Sequence, residues 1–136
     1  MGLLLLVLML GGFAVFIAAG RSQRAQRAER AATVRLSVDE RGVERDLRDG
    51  RHEEVAWADV VEVDVVTLPK GPWEDRVRIV LHGREEESGC IIPLGVAEEG
   101  GLFGGLGRLP QFDHRAFNDA LAKERAGTVV VWERRP

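Results

Sequence analysis

The stretch TVRLSVDERGVERDLRDGRHEEVAW, residues 33–57, decides how this chain folds. Val34, Leu36 and Val38 alternate with Thr33, Arg35 and Ser37, the two-residue period of a strand with one buried face. Asp39-Glu40-Arg41-Gly42 follows as a turn, with the glycine free to take a positive φ. Val43, Arg45 and Leu47 then share a face, and Asp49-Gly50 is a hairpin signal. Glu53 to Trp57 returns with Val55 and Trp57 on one side. Two turns between three alternating segments predict an antiparallel meander.

Toward the C-terminus the same period continues. Trp57-Ala58-Asp59 interrupts it, and Val60–Thr67 resumes it with Glu62 and Asp64 opposite Val61, Val63 and Val65. Pro69-Lys70-Gly71-Pro72-Trp73 reads as a loop, since two prolines and a glycine oppose regular pairing. Arg76 to His82 places Val77, Ile79 and Leu81 inward and Arg76, Arg78 and His82 outward, with Val80 breaking the pattern. Gly83 to Ser88 is a charged turn, and Gly89 to Leu94 a short apolar strand. Gly95 to Gly107 holds six glycines, which weaken the helical spacing of Leu102, Leu106 and Leu109, so a loop with one helical turn is expected. Phe112 to Arg125 is the strongest helix: Asp113 suits the N-cap, Phe112 and Phe117 have staple spacing, and Gly127 ends it. Thr128 to Glu133 is a last strand. The expected fold class is α+β: a mostly antiparallel, curved sheet of six to seven strands with one late amphipathic helix.

Toward the N-terminus the character changes. GLLLLVLMLGGFAVFIAA, residues 2–19, carries no charge and as a helix spans roughly 27 Å, near bilayer thickness. A core helix would show polar positions at helical spacing, and a signal peptide a positive segment ahead of the apolar run; neither is present. Ala18-Ala19-Gly20 is nevertheless small enough for cleavage, which leaves an exported domain as an alternative. Arg21, Arg24, Arg27 and Arg30 flank the run on its C-terminal side and favour a cytoplasmic location there, with the N-terminus outside. They are also the candidate membrane-surface contacts. The expected organisation is a transmembrane helix over 1–20, a basic helical stalk over 21–32, and a cytoplasmic domain over 33–136.

Charge and residue types narrow the chemistry. Residues 21–32 hold four Arg and one Glu, a net +3, whereas residues 33–136 hold 15 Lys plus Arg and 21 Asp plus Glu, a net −6. An acidic domain is a poor partner for nucleic acid. Cys90 is the single cysteine, so no intramolecular disulfide forms. From Thr33 onward there are two serines, three threonines, one asparagine and no tyrosine, and His52, His82 and His114 sit in no nucleophile or local metal motif. Glu85-Glu86-Glu87 reads as a solvated turn, and Gly101–Gly107 lacks the ending of a phosphate loop. No catalytic, cofactor or metal residues are therefore assigned.

Two hairpins leading into Trp57-Ala58-Asp59-Val60-Val61-Glu62-Val63 resemble small bacterial pleckstrin-homology-like domains carried on membrane-anchored proteins. Leu109-Pro110-Gln111-Phe112-Asp113 with its helix and Val131-Trp132 is similar to bacterial proteins sharing a Leu-Pro-x-Phe-Asp helix start. The first resemblance implies a pleckstrin-homology-like fold and carries no activity with it. Two departures matter. A strand follows the helix here, and the first hairpin turn is acidic where lipid-binding members are basic, so headgroup binding is not implied.

The expected function is a single-pass membrane protein whose domain binds or scaffolds an unknown protein partner, through a sheet edge or the glycine-rich loop. Trp73, Leu102, Phe103 and Leu106 are the candidate partner contacts. The alternative is a ligand-binding or enzymatic pocket between helix and sheet, in which at least two of His82, Asp59 and Cys90 converge.

Overall fold

The computed structural model describes residues 33–70 and 75–136. The expected spanning helix, the stalk with Arg21, Arg24, Arg27 and Arg30, and Trp73 lie outside the described residues. Among the described residues, no helix is long and apolar enough to cross a membrane.

The meander forms as its alternation dictates. Strands β1 (Thr33–Val38), β2 (Gly42–Leu47) and β3 (His52–Ala56) make a three-stranded antiparallel sheet in that order. Asp39 closes the first turn by accepting hydrogen bonds at Oδ1 from the N–H groups of Arg41 and Gly42, at 2.9 and 3.2 Å. Gly50 takes a φ of +92° in the second turn, the conformation that favours glycine there. A 3-10 turn, Trp57–Asp59, then carries the chain out of this sheet.

The remaining strands form a separate sheet rather than extending the first, which corrects the expectation of one curved sheet. Strands β4 (Val60–Thr67), β5 (Val77–Gly83), β6 (Gly89–Pro93) and β7 (Gly127–Glu133) pair antiparallel in the order β6-β5-β4-β7. The 3-10 turn is the physical break. Trp57 is buried there, its indole Nε1 donates to the carbonyl of Asp39 at 2.8 Å, and Arg134 donates to the carbonyls of Trp57 and Val60, each at 2.8 Å. Bonds from both chain directions hold the junction.

One core lies between the two sheets and the helices. Val43 and Val55 from the first sheet meet Ile79, Leu81, Cys90 and Ile92 from the second. The Cys90 thiol lies 3.9 Å from the carbonyl of Val43.

The glycine-rich segment is helical, contrary to the loop expected. Helices α1 (Leu94–Glu99) and α2 (Leu102–Leu106) follow β6 directly. Asp75 starts α1 from across the structure, accepting the N–H of Gly95 at Oδ2 at 2.7 Å. Packing outweighs the low helix propensity of glycine in α2. A Cβ on Gly105 would lie 2.6 Å from Val38 Cγ1 and 2.8 Å from the Trp57 ring, so only a glycine lets α2 approach the first sheet this closely.

Helix α3 (His114–Leu121) is shorter than the expected 112–125, but it starts as its sequence predicts. Asp113 Oδ1 accepts the N–H of Ala116 at 3.0 Å, a cap worth about 1 kcal/mol. The rings of Phe112 and Phe117 pack 5.7 Å apart, closing the hydrophobic staple.

Candidate functional site

Leu102 and Leu106 have 0% of their surface exposed, and Leu109 has 2%. They are core residues, which removes Leu102 and Leu106 from the candidate partner contacts. Their i, i+4 spacing points both at the core once α2 exists. Phe103 is half-buried and meets Phe117 edge-on at 5.1 Å.

The residues a catalytic pocket would have joined have separate partners. Asp59 pairs with Arg84 at 3.4 Å beside an open groove of about 700 Å³, whose lining includes Arg41, Glu44 and Glu54 but neither His82 nor Cys90. His114 stacks edge-on against Phe112 at 4.9 Å. Cys90 sits in the core, where burial, and secondarily the charge of Glu53, pushes its thiol up to about 12. The expected outcome is that a water-soluble maleimide leaves the native chain unmodified at neutral pH and labels it after unfolding, as read by intact mass. Rapid labelling of the native chain would contradict this burial.

The outward face of the four-stranded sheet carries the most chemistry. Register places Ile91, Val80, Asp64 and Val130 in one row across β6, β5, β4 and β7. The next row is Gly89, His82, Glu62 and Glu133. Ile91 and Val130 are 40% and 48% exposed, so no other described element covers this face at those positions. Asp64 lies between Val80 and Val130 and is only 8% exposed.

His82, Glu62 and Asp64 meet within these rows. His82 Nε2 is 2.9 Å from Asp64 Oδ2 and 3.7 Å from Glu62 Oε2. Asp64 Oδ1 is buried and has no hydrogen-bond partner among the described residues. Burial, then the neighbouring Asp64 carboxylate, pushes the Glu62 carboxyl up to about 7, and Glu133 adds to the effect. Burial opposes a charge on His82, but its hydrogen bond to Asp64 and the negative charges of Asp64 and Glu62 raise its pKa overall. Alternation in the sequence already put Glu62, Asp64 and His82 on outward faces. Their meeting depends on the β4–β5 register, which neither strand's own pattern fixes.

A second histidine cluster lies on the outer face of the first sheet. His52 Nδ1 is 2.6 Å from Asp46 Oδ1, and its Nε2 is 3.5 Å from Glu44 and from Glu54. The hydrogen bond to Asp46, and then that to Glu54, holds the imidazole pKa above its ordinary 6.5. A raised folded value means this pairing stabilises fully below about pH 6.5 and that the stabilisation is lost as pH rises through the folded pKa. The His52 ring proton titration should therefore move to lower pH in Asp46→Asn. An unchanged midpoint would remove Asp46 as the cause.

An ion pair within the first sheet reaches the second sheet through the Glu53 carboxylate. Arg45 is 1% exposed, and its Nη1 lies 3.0 Å from Glu53 Oε1, while its Nε donates to Thr33 Oγ1 at 3.0 Å. Glu53 Oε1 also accepts the N–H of Ile91, at 3.3 Å. The carboxylate thus occupies part of the β6 edge. At the other end of the sheet, β7 pairs with β4 alone among the described residues.

No protein-family model, curated protein or solved structure matches this chain.

Proposed function

We propose that the chain is a membrane-tethered binding module whose domain takes an extended segment of a protein partner onto the edge of β7. The apolar run over 2–19 supplies the tether, and the basic flank keeps the domain on the cytoplasmic side. The observation that carries the partner reading is the edge itself. β7 is seven residues long, contains Val129, Val130 and Val131 in succession, and has one strand neighbour among the described residues. Such an edge is a template for strand addition unless it is blunted. The β6 edge is partly filled by Glu53, which favours β7.

Charge narrows the partner. The domain is net acidic, and Glu133 and Glu62 stand beside Val130 on the outward face. A segment alternating aliphatic and basic residues matches that pattern.

A photoreactive amino acid in place of Val130, in the full chain in intact cells, tests this. The expected result is a discrete protein adduct that Thr128→Lys on the same edge abolishes, with none from the same probe at Lys123. Equal adducts from Lys123, or an adduct that ignores Thr128→Lys, would overturn the edge reading.

A further inference from the structure

We propose that Glu62, Asp64 and His82 form a binding site for a divalent transition cation of the Zn²⁺ type on the outward face of the second sheet. The site is built on rigid elements. Glu62 and His82 are direct cross-strand partners on β4 and β5, and Asp64 is two residues along β4 from Glu62 on the same face. One potential ligand atom from each of the three lies within 4.8 Å of the others.

The separations suit a shared ion. Two ligands each about 2.0–2.2 Å from a metal stand about 3 Å apart at a right angle and about 3.4 Å apart at a tetrahedral angle. His82 Nε2 lies 2.9 Å from Asp64 Oδ2 and 3.7 Å from Glu62 Oε2, which brackets those values. Small side-chain rotations complete the set.

A separate observation points to a ligand. Asp64 is 8% exposed, and its Oδ1 is buried with no hydrogen-bond partner among the described residues. Buried carboxylate oxygens are normally satisfied, and an isolated one is costly. A cation held by this carboxylate removes that cost. The competing occupant is a proton on Glu62, which the metal would displace. An imidazole nitrogen with two carboxylate oxygens suits Zn²⁺ and its neighbours over Mg²⁺ or Ca²⁺, which take oxygen sets. Three protein ligands leave one tetrahedral position for water or for a donor from another molecule.

The Glu44–His52–Glu54 group serves as the internal control. Its His52 and Glu54 are exposed, its histidine is already held by Asp46, and it has no buried unpaired oxygen. This proposal stands apart from the β7 edge reading, because it needs no protein partner.

The test is equilibrium dialysis of the full chain in nanodiscs, stripped with chelator, against Zn²⁺ alone and against Zn²⁺ with excess Mg²⁺ or Ca²⁺. The expected result is one equivalent that Mg²⁺ and Ca²⁺ do not displace. Glu62→Gln and His82→Asn should each weaken it at least about tenfold, while His52→Asn leaves it intact. His82 is exposed enough for His82→Asn to keep the fold, which near-UV circular dichroism confirms. Absence of a Zn²⁺ equivalent in the native chain, full retention in His82→Asn, or loss in His52→Asn would overturn the proposal.

Discussion

Phe117→Ala is expected to lower the unfolding free energy by about 3–5 kcal/mol, the usual range for removing a buried aromatic ring. Phe117 is 1% exposed and is the centre of the α3 packing. Its ring meets Phe103 of α2 edge-on at 5.1 Å and Phe112 at 5.7 Å. The substitution therefore loses transfer energy, two aromatic contacts and the staple that sets where α3 begins. A domain of this size has about 5–15 kcal/mol in total, so the variant should be partly unfolded at moderate temperature. Phe117→Leu keeps most of the volume and should lose less than half as much. Urea unfolding followed by the near-UV signal of Trp57 and Trp132 measures both. Equal losses for alanine and leucine would mean that the aromatic contacts, and not the buried volume, carry the effect.

Glu53→Ala is expected to destabilise by about 2–3 kcal/mol, more than Arg45→Met does. Both changes break the same ion pair, but they leave different groups behind. Arg45 is 1% exposed, so removing the Glu53 carboxylate takes the 3.0 Å ion-pair partner from a buried cation, which keeps its hydrogen bond to Thr33. The Glu53 side chain is 27% exposed and still receives the Ile91 N–H, so it tolerates the loss of Arg45 better. Methionine also fills the space of the arginine stem with apolar atoms. A double-mutant cycle on the unfolding free energy reads this asymmetry. A larger loss for Arg45→Met would mean that water reaches the arginine and not the carboxylate.

Local patterns were legible in the sequence, and long-range register was not. The alternation from Thr33 to Trp57 and the Asp39 and Gly50 turns predicted the meander, because each signal acts within a few residues. Asp113 and the Phe112–Phe117 pair likewise predicted the start of α3. The division into two sheets was hidden, since it depends on the bond Trp57 donates to Asp39 and the one it accepts from Arg134, 18 and 77 residues away in sequence. The glycines of α2 misled for a related reason. Propensity counts their cost in isolation, whereas Gly105 is there to admit Trp57 and Val38. The candidate cation site was half visible. The outward polar face of each strand could be read, but the pairing of Glu62 with His82 comes from the β4–β5 register.

Backbone amide exchange along β7 tests the partner reading most directly. It is measured on the full chain twice, in membranes prepared from the native cell and after purification into nanodiscs. The account predicts that the amides on the open side of β7 exchange quickly in the purified chain and slowly in the native membranes, where a partner strand protects them. Protection already present in the purified chain, or fast exchange in both settings, would contradict strand addition at this edge.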